Sequence, residues 1–233
     1  MTNYTKRFSK SKFFGDKSKH LLEISFGKRI VHLGCTDWPN QIEQIANENL
    51  LHSKLLDAAQ ATFGVDVDSD GINHLKKLYK EEGFACGDVS TSAEVQQVII
   101  DFRPDIILIP DVLEHIENSR DFLLGVEKVI SRTHSIGVFT TPNAFAIKTF
   151  IPVFLGIDFT HPDHCSIHNE FTITHAMNDA NLQINKIGYL SRDISDRYGL
   201  LMQSLTKPIN WFSRLLPRFS DTLYVEVSSK NLP

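Results

Sequence analysis

Asp111, Glu114 and His115 are the residues whose types and spacing most readily suggest chemistry. Glu114 and His115 stand three and four positions after Asp111, directly behind the apolar run 106–109. If that run is a buried strand and the next segment opens a helix, the three side chains share one face of its first turn. They then lie at the carboxyl end of a strand, the edge where open α/β sheets bind ligands. Two carboxylates and an imidazole make a mixed oxygen and nitrogen donor set suited to Mg2+, Mn2+ or Zn2+. The imidazole alone titrates near neutral pH and fits a general base. A local role competes with both, because acids in a helix's first turn stabilise it by about 0.3–1 kcal/mol each through the macrodipole. The sequence assigns no metal. His115 and His164 are the catalytic candidates.

The elements that must position these groups follow from periodicity. Short apolar runs at 29–34, 62–67, 84–86, 105–109 and 136–140 read as strands, and amphipathic stretches at 41–47, 52–60, 71–82, 92–102 and 121–131 read as helices. Strands alternating with helices imply an α/β fold with a doubly wound, mainly parallel sheet. A later helix at 171–181 and two strands at 182–190 and 222–228 add an antiparallel pair at one sheet edge, for seven strands in all. Two segments lack this rhythm. Residues 144–170 are rich in His, Phe and Pro, and hold His161 and His164 over the same sheet edge as Asp111. Residues 197–219 form an apolar cap insertion punctuated by Arg197, Lys207, Arg214 and Arg218. Loops of such length usually carry function. The second is expected to pack as a lid or to contact a membrane surface peripherally.

Other strand ends offer ligand groups as well. Gly34, Cys35 and Thr36 follow the first strand, where Gly34 allows a tight turn and close backbone approach. Asp66, with Val67, ends the second strand; a carboxylate there accepts ribose hydroxyls or, equally, caps the next helix. Asp88 and Val89 follow the third strand, and Pro110 joins Asp111 after the fourth. The full G-x-G-x-x-G fingerprint is missing, which argues against a nicotinamide dehydrogenase.

Composition sets outer bounds. A chain of 233 residues with 42% apolar content suits one large domain, spanning 28–233, behind a basic N-terminal arm at 1–27. The arm is expected to be loosely held and solvated, or to meet an anionic partner. A formal net charge of −4 makes nucleic acid an unexpected partner for the whole surface. Cys35, Cys86 and Cys165 form no CxxC pair, and no stretch reads as a secretory signal or membrane span. The expectation is a cytoplasmic protein with reduced thiols. The oligomeric state is not legible.

Taken in order, these strand ends resemble the class I S-adenosylmethionine-dependent methyltransferases, in the UbiG/MetW-like branch. The resemblance covers about residues 28–190. Residues 30–37 look like the first motif, Gly64-Val65-Asp66-Val67-Asp68 like the acidic second, and 86–89 like the adenine-side motif. Leu113-Glu114-His115, Thr140-Thr141-Pro142-Asn143 and His161-Pro162-Asp163-His164 are similar to later motifs. The family usually has an acid where His32 stands and Gly-x-Gly where Gly34, Cys35 and Thr36 stand. The resemblance implies a Rossmann-like methyltransferase domain with S-adenosyl-L-methionine as cofactor, contacted by Gly34, Cys35, Thr36, Asp66, Val67, Asp88, Val89, Pro110 and Asp111. It implies O-methyl transfer to a small-molecule or carbohydrate-like (glycan-like) acceptor, with His115 or His164 as base. Relatives with an acid-x-x-Glu-His cluster use it for metal, so a metal-assisted RNA 2′-O-methyltransferase is the first alternative. A non-catalytic S-adenosylmethionine binder is the second.

Overall fold

The apolar runs form strands, and the amphipathic stretches form helices, within a few residues of where their periodicities put them. The computed structural model describes residues 12–80, 83–158, 160–191, 211 and 215–231. The chain opens with β1 (Phe13–Asp16) and α1 (Lys17–Ser25). There follow β2 (Arg29–Leu33), α2 (Gln41–Ala46), α3 (Leu51–Ala58), β3 (Ala61–Asp66), α4 (Ser69–Leu78), β4 (Gly83–Cys86), α5 (Ala93–Phe102) and β5 (Ile106–Pro110). The second half holds α6 (Ser119–Thr133), β6 (Ile136–Pro142), α7 (Ile147–Val153), α8 (Glu170–Asp179), β7 (Leu182–Ser191) and β8 (Thr222–Ser229). Single 3-10 turns lie at Leu113–His115 and Pro217–Phe219.

The α/β, Rossmann-like expectation holds, with one more strand than expected. Among the described residues the sheet has 8 strands in the order β1-β7-β8-β6-β5-β2-β3-β4. Only β8 runs against its neighbours, antiparallel to both β6 and β7. The antiparallel pair is therefore not at the edge: β1 pairs parallel with β7 and covers it. The four residues of β1, Phe13 to Asp16, are too few to show alternation in sequence, and tertiary packing makes the strand. Phe14 lies 5.1 Å from both the His20 and the Tyr224 ring centroids. Asp16 caps α1 by accepting the Lys19 amide at 2.9 Å, and Leu21 of α1 is fully buried. Residues 13–25, expected within the basic arm, are thus part of the folded domain. Most of the expected cap insertion, 197–210 and 212–214, lies outside the described residues.

Helices cover both faces of the sheet. On one face Leu21 of α1 and Leu55 of α3 pack with Ile30, Ile106, Leu108 and Tyr224. On the other, α5, α6 and α8 contribute Ile99, Val126, Ile130 and Met177 against Val31, Ile107, Phe139 and Val225. Each fully buried aliphatic or aromatic side chain contributes about 1.5–3 kcal/mol. The sheet's topological switch falls at β2, which pairs with β3 on one side and β5 on the other. In open α/β sheets, the carboxyl ends of the strands at such a switch point are where a ligand-binding crevice is expected.

α6 is fixed against that end of the sheet by close backbone approach. A Cβ on Gly125 would fall 2.6 Å from the Ser90 Cα and 2.8 Å from the Val89 carbonyl oxygen. Both are backbone atoms that cannot swing away. Gly125→Ala adds about 1–3 kcal/mol of overpacking against about 1 kcal/mol of helix propensity gained. We expect a net loss of stability, read as a lower urea midpoint at unchanged slope; a midpoint equal to or above wild type would refute the close packing of α6 on residues 89–90.

Candidate active site

The loop after β2 is held by the acid that ends β3. Gly34 adopts a positive φ of 80°, and its amide and that of Cys35 both donate to the Val65 carbonyl, at 2.9 and 3.3 Å. The Thr36 amide and hydroxyl donate to Asp66 Oδ2 at 2.9 and 2.8 Å. Asp66 Oδ1 accepts the Asp68 amide at 3.0 Å. Asp66 is therefore first a clamp on the loop 34–36. Cys35 and Thr36 are fully buried, and burial pushes the Cys35 thiol far up, followed by the charge of Asp66. That thiol is no nucleophile. Val67, by contrast, is 69% exposed.

After β4, Asp88 Oδ1 accepts the Ser90 amide at 2.7 Å. The Val89 side chain is buried in the core, so only its backbone faces outward chemistry, and its carbonyl already accepts Gln96 Nε2 at 2.7 Å. These two residues shape the turn that follows β4.

The segment after β5 differs from the expected helix start. Asp111 has a left-handed φ of 51°, residues Leu113–His115 form a 3-10 turn, and α6 begins only at Ser119. Asp111, Glu114 and His115 therefore do not share one face of a first turn, and the helix-dipole account of the acids falls with it. Asp111 is bracketed instead. Its Oδ1 accepts the Thr140 hydroxyl at 2.9 Å, its amide donates to the Thr140 carbonyl at 2.9 Å, and its Oδ2 pairs with the Lys17 ammonium. Glu114 turns inward and is 1% exposed. Its Oε2 accepts the Thr141 hydroxyl at 3.0 Å. Burial, then the charge of Asp111, pushes its carboxyl up to about 8, against smaller opposing effects of hydrogen bonds and Lys17.

His115 points the other way and is exposed. Its ring lies 4.9 Å from that of His164 and 6.2 Å from that of His161. The chain returns to this place because the Glu114 carbonyl accepts the Cys165 and Ser166 amides at 2.7 and 3.3 Å. Glu114, His115 and His164 can each offer one ligand atom, all within 4.8 Å of one another. Desolvation, then the neighbouring His115 and His161, lowers the His164 pKa. The two catalytic candidates from the sequence thus meet. Lys17 is the member that sequence reasoning missed, for it lies 94 positions from its partner in an apparent arm, with no local signal.

The two halves of the site touch. A Cβ on Gly34 would lie 2.5 Å from Val112 Cγ2, so the loop after β2 lies flush on the turn after β5 at the switch point. Beneath it, His32 does not offer itself to a ligand. Its Nδ1 is 3.2 Å from Nδ1 of His52 on α3, with the rings stacked 5.4 Å apart. His52 Nε2 is buried with no hydrogen-bond partner among the described residues.

No family model and no curated protein matches this sequence. Solved structures do match over most of it. Magnesium protoporphyrin IX methyltransferase (ChlM) from Synechocystis PCC 6803, with bound SAH, aligns at 13% identity over 91% of this chain and 81% of its own, with a TM-score of 0.55. The small RNA methyltransferase HEN1 aligns at 15% identity over 92% of this chain but 25% of its own, with a TM-score of 0.57. The N-methyltransferase NodS from Bradyrhizobium japonicum WM9 aligns at 12% identity over 91% and 85%, with a TM-score of 0.50. The chain has the fold of the class I S-adenosylmethionine-dependent methyltransferases; these likenesses do not single out the UbiG/MetW-like branch.

The buried histidine pair gives a pH dependence. Burial lowers His32 well below its usual value, with His52 second, and brings His52 down to about 4. Between that value and the ordinary 6.5, the unfolded chain binds more protons than the folded one. Stability is therefore complete above pH 6.5 and is lost as pH falls towards 4. From His52 alone, urea unfolding should show a loss of about 2 kcal/mol between pH 7.5 and pH 5. His52→Phe should flatten that slope, and an unchanged slope would remove the pair as its source.

Proposed function

We propose that this chain is an S-adenosylmethionine-dependent methyltransferase that methylates a hydroxyl of a small or carbohydrate-like acceptor. The observation that carries the reading is the contact of Gly34 with Val112 at the β2/β5 switch point. It joins the acid-clamped loop of β2 and β3 to the carboxylate and histidine cluster after β5 in one crevice.

The residues present fit the cofactor. Asp66 Oδ1 accepts one hydrogen bond and has a second lone pair for a ribose hydroxyl. Val67 beside it offers exposed apolar surface to a base. Of the loop fixed by Asp66, Gly34 is the residue left partly exposed, and it lies against Val112 of the turn that follows Pro110 and Asp111. When bound, the cofactor supplies a methyl group on a sulfonium, which transfers by in-line displacement. The protein's part is alignment, which contributes up to about 7–11 kcal/mol, and acceptance of the acceptor's proton. His164 is the base: it is half-buried, its pKa is lowered, and it is neutral at pH 7. His115 packs edge-on against it and, through Nδ1 at 3.2 Å from the Asp163 carbonyl, holds the histidine loop in place.

A second reading, metal-assisted transfer, has its own observation in the 4.8 Å convergence of Glu114, His115 and His164. One carboxylate and two imidazoles suit Mn2+ or Zn2+. The metal would have to displace the proton that burial favours on Glu114. HEN1, of similar fold, is a small RNA methyltransferase, and RNA is the acceptor class that goes with this reading.

Calorimetry separates the possibilities. S-adenosylhomocysteine binds the wild type, and Asp66→Ala weakens that binding at least about tenfold by freeing the loop and removing a charge-assisted hydrogen bond. No binding to the folded wild type sinks the proposal. With labelled cofactor and a panel of hydroxylated acceptors, His164→Ala keeps cofactor affinity and lowers turnover by about 10²–10⁴; full turnover in that variant removes the base assignment. Titration with Mn2+ and with Zn2+ decides the second reading. Heat that disappears in His164→Ala supports it, and no heat with either ion excludes it.

A further inference from the structure

The limb that returns to the site carries one more histidine than the proposed reaction uses. His161 stands three positions before His164, and the His164 amide donates to the His161 carbonyl at 3.0 Å. This tight turn holds both rings against His115. The His161 and His164 ring centroids are 5.4 Å apart, and those of His115 lie 6.2 and 4.9 Å from them. Imidazoles that share a tetrahedral ion at about 2.0–2.1 Å per nitrogen have their centroids about 5 Å apart. The triangle is close to that spacing. The His161 side chain is 53% exposed, so rotation about its own bonds closes the difference.

Asp163, on the same turn, faces two of the three rings. Its carbonyl oxygen lies 3.2 Å from His115 Nδ1. With Nδ1–H donating there, the lone pair of His115 Nε2 is the one left for a ligand. The Asp163 amide donates to His161 Nδ1 at 3.3 Å, and Asp163 Oδ2 is 3.7 Å from the same nitrogen. An ion on His161 Nε2 moves the ring proton to Nδ1, where this carboxylate can accept it. Histidines that bind metal almost always give their second N–H to a carboxylate or a carbonyl. One residue offers both.

Ligand chemistry selects the ion. Three neutral imidazoles suit Zn2+, whereas Mg2+ and Ca2+ prefer oxygen. The set of Glu114, His115 and His164 shares two of these ligands and differs in the third. Glu114 is buried and accepts the Thr141 hydroxyl, on the core side of the turn. His115 and His161 are exposed on the solvent side. The nearby Cys165 thiol points to the His115 and Asp163 carbonyls, at 3.7 and 3.9 Å, and leaves the fourth position to solvent.

We propose that His115, His161 and His164 form a three-imidazole site for Zn2+ on the solvent side of the crevice, and that its occupation withdraws His164 from proton transfer. A neutral imidazole has one lone pair, and the ion takes it. The binding half of the proposal is independent of methyl transfer; the withdrawal half rests on His164 as the base.

The test is calorimetry of the whole chain with Zn2+ in a buffer that does not bind the ion. We expect one-to-one binding. Because His164 belongs to both sets, the third ligand decides between them. His161→Ala should weaken binding at least about tenfold, since losing an outer partner alone costs about 10–100-fold. Glu114→Gln should leave it unchanged. Circular dichroism melting like that of wild type verifies that both variants fold. Binding at full strength in His161→Ala overturns the site, as does binding lost in Glu114→Gln alone, which gives the ion to the inner set. Absence of Zn2+ heat in a wild type that binds S-adenosylhomocysteine overturns the site and leaves the cofactor reading standing. With a turned-over acceptor, Zn2+ should slow the wild type and spare His161→Ala. A faster rate with Zn2+ overturns the withdrawal of His164 in favour of metal-assisted transfer.

Discussion

One turn governs the rest of the site: the left-handed Asp111 at the end of β5. A non-glycine residue there is strained by about 1–2 kcal/mol, least for Asp and Asn. Here the strain is held by bonds on every side, from the Thr140 hydroxyl and carbonyl on β6 and from the Lys17 ammonium on α1. The reversal sends Glu114 inward to Thr141 and leaves His115 outward. A helix continuing directly from β5 would have put the three on one face and left Glu114 solvated. The inward placement gives Glu114 its raised pKa, and it also presents the Glu114 carbonyl to Cys165, which brings His164 to His115. Sheet, N-terminal helix and histidine loop thus meet through a single residue's backbone angle.

Much of the fold was legible in the sequence because its elements obey local rules. Strands β2 to β8 and the helices α2, α3, α4, α5, α6 and α8 lie where the sequence pattern puts them. β1, with the α1 that follows it, and α7 do not. β1 forms because Phe14 finds His20 and Tyr224, both distant from the strand's own pattern. α7 has Pro152 inside it and Phe150 and Val153 exposed, and none of the side chains described in it is fully buried to impose a period. Both are products of tertiary context, which overrides propensity in short segments.

The site was legible at the level of residue type and not of geometry. His115 and His164 could be paired from topology alone, since both had to lie over the same sheet edge. Asp111 could not be read as a turn residue, because nothing local distinguishes a left-handed Asp from one that opens a helix. Asp66 shows a related limit. A strand-end acid reads equally as ribose ligand or as turn acid, and here its oxygens hold the loop 34–36 while one lone pair stays open. His32 stands where the resembled family has an acid, and its partner, His52 on α3, is too distant in sequence to be read locally, so the buried pair emerges only in the fold. The His32 side chain is buried with His52 beneath the loop 34–36.

The histidine loop and the exposed apolar turn are two consequences of one closure. The segment between β6 and α8 is pinned at its neck, where Asn143 bridges to His168 and the Ala144 amide donates to the His168 carbonyl at 2.8 Å. A second pin, from Cys165 to the Glu114 carbonyl at 2.7 Å, fixes the returning limb against the site. The outgoing limb is moored at its start, by Lys148 on Asp221. Between these fixed points the chain must go out and come back, and the residues at the far reach cannot enter the core. A sequence under no other demand would place polar side chains there. This one places Phe150, Val153, Phe154 and Leu155, and then polar His161, Asp163 and His164 on the limb that faces the crevice. The change from apolar to ionisable along one loop follows the change from outer surface to site, so the loop's composition is set by what each limb meets.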